Sequence, residues 1–306
     1  MKKIRAFIDL GTNTFHLLIA ALENGETEVL YRAREIVGLG AGGINEGIIQ
    51  PEAMERGLSC LEKFSSTCKA YKTAQINAFG TSALRHAKNS PAFIDRVRTS
   101  TGIEIEVIGG EREAELIELG ISASVGDIAE PYLIMDIGGG STEFILVANG
   151  KTLEKISFEV GVQRLISAFF TEDPLPTSQY SELNNYLGDF LEGLKVFRRH
   201  DPKVLVGASG TYTTLLKMYT TETGIGESSG TLVPADYFRR TFAQLIQLPR
   251  EKRLAMPGMS APRVDLIVVG ASLVNYVIEY FNFAGFYVSG SGLKEGAMLL
   301  AAKGKL

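Results

Sequence analysis

Apolar side chains near the start of the chain come in short runs that are rich in β-forming residues and are separated by turn signals. Such runs predict strands, here over residues 4–10, 15–22, 27–37, 75–79 and 104–108. A helix is predicted over 51–73, where Pro51 suits the first turn. Another helix starts with Ser90 as its N-cap, directly before Pro91, and ends near Gly102.

The rest of the chain has the same kind of pattern, after a helix that begins near Glu111. Strands are predicted near 132–137, 143–148, 152–160, 203–206 and 286–289. Apolar residues spaced three or four apart predict a helix that carries Tyr180, Leu183, Leu187, Phe190, Leu191 and Leu194. Further helices are predicted near 263–283 and from about 292.

The two parts of the chain are related by an internal repeat. Residues 7–14 match 134–141, and residues 79–82 match 206–209 at the same offset. An Asn-Gly dipeptide between two apolar runs, which is a strong hairpin signal, also occurs in both parts. We infer that the chain is a duplicated fold.

Each part has three strands expected to be antiparallel, followed by alternating helices and strands, which predicts a mixed five-stranded sheet with helical cover. The expected fold is therefore α/β, with two domains, 1–124 and 125–306, that face each other across a cleft. The segment 123–131, which contains a glycine and a proline, is the predicted linker. The last helix, about 292–306, is a candidate to pack back on the first domain.

The composition is that of a soluble protein with hydrophobic cores, since 45% of its 306 residues are hydrophobic and 22% are charged. A net charge of −4 argues against a nucleic-acid partner, which would need a basic surface. No apolar stretch reaches the ~18 residues of a membrane span, and Asp9 interrupts the first apolar run where a signal peptide would continue. The sequence predicts a cytoplasmic protein with no membrane partner.

Cysteine and histidine residues give no support for redox or zinc chemistry. Cys60 and Cys68 fit neither a CxxC pair nor the spacing of a zinc site, and we expect them to be ordinary residues of one helix. His16, His86 and His200 lie far apart, and none is part of an HExxH pattern. A zinc hydrolase is therefore not expected.

Both parts open with an apolar strand that ends in Asp-x-Gly, followed by a polar turn and a second apolar strand. Glycine brings backbone N–H groups close to an anion, and small hydroxyl side chains add donors. A hairpin without a ligand explains one such turn, but the duplication favours two phosphate-binding turns that face each other. Their residues are Gly11, Thr12, Asn13, Thr14, Gly138, Gly139, Gly140, Ser141 and Thr142.

Carboxylates stand at the same strand ends. A carboxylate beside a bound phosphate is destabilised unless a cation intervenes, and Mg²⁺ prefers one or two carboxylates together with phosphate oxygens and waters. Asp136 is therefore the first candidate for a magnesium ligand, with Asp9 and Glu143 as further candidates and Mn²⁺ as an alternative ion. Turn capping by these side chains is the competing interpretation.

An acidic run, with Glu111, Glu113 and Glu115, follows the fifth strand. Helix starts favour acidic residues because of the helix dipole, so a structural role explains the run as well. The pattern by itself does not select one of the three glutamates as a catalytic group.

The repeated Asp-x-Gly turns resemble the actin-like and sugar-kinase ATPase superfamily, whose paired domains are ribonuclease H-like. Within it, the chain is similar to the exopolyphosphatase / guanosine-pentaphosphate phosphohydrolase (Ppx/GppA) family. The resemblance extends from near residue 5 to 293–296. The stretches that carry it are 8–15, 80–85, 108–114 and, most specifically, 136–143.

The resemblance implies roles for particular residues. The glutamate directly before alanine in 108–114 is the catalytic base, and Glu113 has that place. The aspartate of the glycine-triplet motif helps to hold the metal, in agreement with Asp136, and the arginine that ends Thr-Ser-Ala-Leu-Arg, Arg85, contacts the phosphate chain. The other candidates for substrate binding are Ser209, Gly210, Thr211, Arg263 and Lys294.

The sequence departs from the family pattern at some of these positions. Arg112 stands where the family has a glutamate, and Glu115 where it has an arginine. Lys294 replaces the arginine of a late Arg-Glu-Gly motif, and Ser209 replaces the first glycine of Gly-Gly-Thr. The departures affect expected substrate contacts more than the catalytic core. Longer family members also carry an extra helical C-terminal region that is not found in these 306 residues.

The expected function is the Mg²⁺-dependent release of terminal phosphate from inorganic polyphosphate, with short chains preferred. Guanosine pentaphosphate is the alternative substrate. An ATP-dependent kinase of the same superfamily is another alternative, and it would need an adenosine pocket. Only residues 209–211 are compatible with such a pocket. A non-catalytic sensor of polyphosphate or an alarmone is a further alternative, and the presence of both Glu113 and Asp136 argues against it. The oligomeric state stays open, with a homodimer as one candidate.

Overall fold

The computed structural model describes residues 2–126, 128–226 and 230–306. The chain divides into two compact units. The first contains the chain up to Ile121 together with Gly138–Gly140 and Ser291–Leu306, and the second contains Ser122–Ile137 and Ser141–Gly290. Within the described residues, no helix is long and apolar enough to span a bilayer.

The first unit is built on a mixed sheet of five strands. These are β1 (Lys3–Leu10), β2 (Thr14–Glu23), β3 (Glu26–Ile36), β4 (Gln75–Gly80) and β5 (Ile105–Val107). Their order is β3-β2-β1-β4-β5. The pairs β1–β2 and β2–β3 are antiparallel, whereas β1–β4 and β4–β5 are parallel. The helices in this part of the chain are α1 (Pro51–Ala70), α2 (Ser82–His86), α3 (Ser90–Thr101) and α4 (Gly110–Val125).

The second unit has a six-stranded mixed sheet. Its strands are β6 (Tyr132–Ile137), β7 (Thr142–Ala148), β8 (Lys151–Phe158), β9 (Val204–Ala208), β10 (Val233–Pro234) and β11 (Gly285–Val288). The order is β10-β11-β9-β6-β7-β8, so that β8-β7-β6-β9-β11 repeats the order of the first sheet. The directions of these five strands also repeat, with β6–β7 and β7–β8 antiparallel and β6–β9 and β9–β11 parallel.

Helices complete the second unit, and a last helix returns to the first unit. They are α5 (Val162–Phe169), α6 (Thr177–Phe190), α7 (Lys195–Arg198), α8 (Ser209–Thr223), α9 (Ala235–Gln247), α10 (Arg250–Leu254), α11 (Ile267–Phe281) and α12 (Leu293–Ala302). A 3₁₀ helix covers Glu192–Leu194. Helix α12 belongs to the first unit, where it contacts β1, β2 and β3.

The duplication extends to local detail. An irregularity in register follows Ile19 in the second strand of the first sheet and Leu146 in the corresponding strand of the second sheet. The hairpin asparagines Asn24 and Asn149 have the same positive φ of 52°. The predicted mixed α/β architecture of a duplicated chain is therefore confirmed.

The prediction of five strands in the second part needs a correction, because β10 adds a sixth. This strand has only two residues and pairs antiparallel with β11 at the edge of the sheet. Its second residue is Pro234, which has no N–H group to donate to a ladder. So short an edge strand leaves no run of β-forming residues to detect.

Several helix ends also differ from the prediction. Helix α3 has Asn89 as its N-cap and includes Ser90 as its first residue. Helix α4 continues through 123–125, where the linker was predicted to begin, since residues 121–125 contain no glycine or proline. The helix predicted to carry both Tyr180 and Leu194 ends at Phe190 and is followed by the 3₁₀ helix.

Buried aliphatic side chains fix the two strands that carry the Asp-x-Gly sequences. On β1, Ile8 and Leu10 are buried in the core of the first unit, and on β6, Met135 and Ile137 are buried in the core of the second. Full burial of such a side chain stabilises the fold by about 1.5–3 kcal/mol. Since side chains alternate along a strand, Asp9 and Asp136 lie on the opposite faces from these core residues.

The two cysteines are part of the first core. Cys60 and Cys68 are buried on α1 and do not form a disulfide. Burial raises the pKa of Cys60 to about 12 and that of Cys68 to about 11. Both thiols therefore stay protonated near neutral pH, as expected for structural residues.

Candidate active site

The turn between β1 and β2 is held by backbone hydrogen bonds to the segment that follows β3. The amides of Val37 and Gly38 donate to the carbonyl of Asn13 at 3.1 and 2.9 Å, and the amide of Gly40 donates to that of Thr12 at 2.9 Å. Thr12 and Asn13 are both buried. Gly11 approaches the carbonyl of Thr14 so closely that a Cβ there would lie 2.8 Å from its oxygen. The turn is therefore a fixed element of the first unit.

The glycine triplet 138–140 belongs to the same unit and packs on this turn. A Cβ at Gly139 would lie 2.9 Å from the Cβ of Thr12, and one at Gly140 would lie 2.5 Å from Oγ of Ser82 and 2.8 Å from Oγ1 of Thr12. A side chain at either position would force these neighbouring atoms to move. The structure thus brings together the predicted turn residues Thr12, Gly139 and Gly140.

The hydroxyl residues that follow the triplet are buried as well. Ser141 is 2% exposed, and Thr142 is fully buried. The hydroxyl of Thr142 donates to the carbonyl of Val160 at 2.5 Å. Since a hydroxyl has one proton to donate, that of Thr142 holds the start of β7 to the segment before α5. This hydrogen bond gives Thr142 a structural role, and its role in phosphate binding stays a prediction.

Asp136 and Glu143 form a carboxylate pair across two strands of the second unit. They face each other in the register of β6 and β7, which places both side chains on the same face of the sheet. Glu143 is 1% exposed and accepts a hydrogen bond of 2.8 Å from the hydroxyl of Ser157. Burial raises the pKa of Tyr212, and the negative charge of Asp136 raises it further.

The donor chemistry of this pair fits a magnesium ion. Mg²⁺ is held in proteins by one or two carboxylates, with the remaining positions filled by waters and phosphate oxygens. The paired carboxylates of Asp136 and Glu143 supply that number of ligands. Among the described residues, no three His, Cys, Asp or Glu side chains form a cluster that could hold a metal ion. Asp9, the third predicted ligand, belongs to the first unit, where its partner in register is His16.

The glutamate predicted as catalytic base is distinguished from its neighbours by burial. Glu113 lies in the first turn of α4 and is 7% exposed, whereas Glu111 is exposed and the side chain of Glu115 is 45% exposed. Glu115 pairs with Arg112 at 2.7 Å. The start of the helix stabilises a negative charge. Among the three acids of the run, Glu113 is thus the one held inside the protein.

Arg85 is the ion-pair partner of this glutamate. Its Nη1 lies 3.0 Å from Oε2 of Glu113 and also donates to the carbonyl of Ile108 at 2.9 Å. The two side chains are 16% and 9% exposed. The structure therefore brings together two predicted site residues that lie 28 positions apart in sequence.

A second group of predicted residues meets at the start of α8. Ser209 has a φ of +84°, which is unusual for a residue with a side chain. The guanidinium of Arg263 lies against Gly210, in the space that a Cβ would fill. Thr211 is buried against Gly270. The arrangement places a cation at the N-terminus of a 15-residue helix, where anions are favoured.

Lys294, the last predicted substrate contact, lies at the start of α12. Its Nζ is 3.2 Å from Oε2 of Glu295, which also accepts a hydrogen bond of 2.9 Å from the amide of Gly292. The other oxygen of Glu295 pairs with Arg32. No described contact joins Lys294 to another predicted site residue.

Two residues beside the glycine triplet were not among the predicted site residues. Ser82 is 1% exposed, and its hydroxyl oxygen points towards Gly140. Ile44 is 5% exposed, and its Cδ1 would lie 3.2 Å from a Cβ at Gly40 and 2.9 Å from one at Gly140. Ser82 belongs to one of the stretches that carry the family resemblance, and so its sequence context gave a signal. Ile44 lies in a glycine-rich loop without any such signal.

Comparison with known proteins decides the family. The model of the Ppx/GppA phosphatase family matches residues 18–303. The chain belongs to the Ppx/GppA phosphatase family. Among solved structures, it is similar to an exopolyphosphatase from Cytophaga hutchinsonii ATCC 33406, with 37% identity and a TM-score of 0.93. That alignment covers 99% of this chain and 98% of the other.

Two further structures have the same fold over the whole chain. An exopolyphosphatase-like protein is 25% identical with a TM-score of 0.90, and the alignment covers 99% of this chain and 98% of that one. A Ppx/GppA family member from Aquifex aeolicus is 24% identical with a TM-score of 0.80, and the alignment covers 100% and 99%. The prediction of two ribonuclease H-like, actin-like domains is confirmed by this match to Ppx/GppA structures.

Proposed function

We propose that this protein is an exopolyphosphatase that releases terminal orthophosphate from short inorganic polyphosphate chains with the help of Mg²⁺. The observation that carries the proposal is the buried ion pair of Glu113 and Arg85 at the start of α4. The guanidinium holds this carboxylate in a fixed position, and a positioned carboxylate can serve as a general base towards water. Membership in a phosphatase family and the 37% identity to an exopolyphosphatase support the same reaction.

In this mechanism Glu113 is the general base. An attacking water forms a bond to the terminal phosphorus while the bond from that phosphorus to the bridging oxygen breaks. Glu113 accepts the proton of the water, and the shortened chain leaves with the bridging oxygen. Phosphoryl transfer has a loose transition state, so that positioning and charge neutralisation contribute more than the strength of the base.

The other predicted residues bind and neutralise phosphate in this proposal. The turn with Thr12 and Asn13, together with Gly138–Gly140, would offer backbone N–H groups to an anion. The start of α8 with Ser209, Gly210 and Arg263 offers a second anion-binding position. Asp136 and Glu143 would hold Mg²⁺, which when bound neutralises the negative charge of phosphoryl oxygens.

Phosphate release from a panel of substrates tests the proposal. The panel consists of tripolyphosphate, longer polyphosphates, guanosine pentaphosphate and ATP, each with Mg²⁺ and with an excess of chelator. We expect the highest kcat/KM for short polyphosphate and only in the presence of Mg²⁺. A preference for guanosine pentaphosphate would instead identify a nucleotide phosphohydrolase that uses the same residues. Tight binding of a phosphate compound without turnover would identify a sensor.

A further inference from the structure

The family resemblance assigns Arg85 to the phosphate chain, but the contacts of its side chain support another role. Its Nη1 atom bridges Oε2 of Glu113, at 3.0 Å, and the carbonyl oxygen of Ile108, at 2.9 Å. Ile108 stands two residues before the first residue of α4. The arginine thus contacts both the carboxylate of the base and the backbone that leads into the helix carrying it.

The anchoring of Arg85 is itself well defined. Its amide donates to the carbonyl of Thr81 at 2.9 Å, and both the amide and the hydroxyl of Thr81 donate to the carbonyl of Leu10 at 3.3 Å. On the other side, the amide of Ile108 donates to the carbonyl of Gly80 at 3.0 Å. The guanidinium therefore connects α2, which follows β4, to the junction of β5 and α4.

Because the ion pair is buried, the carboxylate of Glu113 depends on its positive partner. The side chains of Arg85 and Glu113 are 16% and 9% exposed. A buried carboxylate that loses its positive partner is destabilised in its ionised form and is free to change its rotamer. A charge-assisted hydrogen bond to a guanidinium fixes the direction of the carboxylate.

We propose that Arg85 is a positioning residue, which acts on the reaction by holding the carboxylate of Glu113 in place to accept a proton from the attacking water. The inference rests on the proposed function, in which Glu113 is the base. Because the arginine acts through the glutamate, its loss lowers kcat and leaves KM for a phosphate substrate nearly unchanged. An arginine that bound the phosphate chain in both the ground state and the transition state would instead raise KM.

A double-mutant cycle with tripolyphosphate as substrate separates the two roles. The variants are Arg85→Ala, Glu113→Gln and the double variant, with Arg112→Ala as the matched control. Arg112 lies next to Glu113 in sequence and pairs with Glu115 at 2.7 Å. Thermal unfolding of each variant establishes that it is folded before kcat and KM are measured.

We expect Arg85→Ala to lower kcat by roughly 10- to 100-fold, the scale of a misplaced catalytic group, with little change in KM. In the Glu113→Gln background, the same substitution should change kcat by less than about 3-fold, because the effects of substituting two residues that act together do not add. Arg112→Ala should leave both parameters within about 2-fold of the wild type, as expected for a half-exposed ion pair.

Losses in kcat that multiply in the double variant would overturn the inference, and so would a rise in KM at constant kcat. If Arg85→Ala does not fold, Arg85→Lys is measured instead, because lysine keeps the positive charge but lacks the planar set of N–H donors of a guanidinium. Arg85→Lys should have a reduced kcat and an unchanged KM, and a raised KM would count against the inference. If the wild type releases no phosphate from any substrate, the proposed function fails and the inference fails with it. If the wild type does release phosphate and the two losses in kcat multiply in the double variant, the inference alone is overturned.

Discussion

At the scale of single residues, Glu113 is the side chain on which the proposed chemistry depends most. Glutamine has nearly the same shape but cannot accept a proton, so Glu113→Gln should lower kcat by roughly 10²–10⁴-fold, the range for a positioned base. The steady-state rate of phosphate release measures this loss. Glu111→Gln and Glu115→Gln are the controls, because both side chains are more exposed than that of Glu113. If either control loses most of its kcat while Glu113→Gln stays active, Glu113 is not the base.

Asp136 is the residue whose charge we expect to matter for the metal. Replacing it with asparagine removes an anionic oxygen ligand from a hard cation. Asp136→Asn should therefore raise the Mg²⁺ concentration needed for half-maximal activity steeply, while Asp95→Asn, at an exposed aspartate paired with Arg98, should not. A titration of activity with Mg²⁺ measures both effects. Full wild-type activity in excess chelator would exclude a metal from the reaction.

The residues of the site differ in how far the sequence could predict them. The turns with Gly11 and Gly139 follow directly from a repeated local pattern. The local pattern does not select Glu113 over Glu111 and Glu115. All three glutamates suit a helix start, and which of them is buried depends on tertiary packing. The contact of Arg85 with Glu113 joins residues 28 positions apart, and no local periodicity encodes it.

At the scale of elements, the packing of the 138–140 turn gives a prediction with an internal control. Gly140→Ala would place a methyl group against Ser82 and Thr12, and overpacking of this kind costs about 1–3 kcal/mol. A Cβ at Gly188, inside α6, would meet no neighbouring atom within 4 Å, so Gly188→Ala should stabilise by about 0.5–1 kcal/mol. Chemical unfolding of both variants should therefore give free-energy changes of opposite sign. A neutral Gly140→Ala would show that the turn can shift at no cost.

Strands and helices were predicted well where their apolar pattern is long. The pattern identified β1 to β9 and β11 because each has a run of β-forming residues between turn signals. Strand β10 was missed because an edge pairing of two residues, one of them proline, needs no such run. The end of α6 was also missed, since the apolar spacing continues into the 3₁₀ helix although the α-helix stops at Phe190.

At the scale of the whole molecule, charge limits how a long polyanion can bind. The chain has a net charge of −4. Several of its arginines are held in ion pairs with carboxylates, among them Arg98 with Asp95, Arg239 with Glu279 and Arg250 with Asp265. Paired charges release few counterions from an approaching polyanion, and counterion release is the main source of affinity for long polyanions. Any gain in affinity from phosphates far from the reacting end should therefore be small.

With little affinity to gain from distant phosphates, the protein should prefer short polyphosphate. As the substrate grows, kcat/KM should rise only until the chain extends beyond the predicted phosphate-binding residues, and it should then stay constant. The measurement is kcat/KM over a ladder of defined chain lengths at one salt concentration, repeated at a second concentration. A weak dependence of the long-chain values on salt is expected, because few counterions are released at distant contacts. A steady rise up to the longest chains, with a steep salt dependence, would require an extended basic surface and would contradict the prediction.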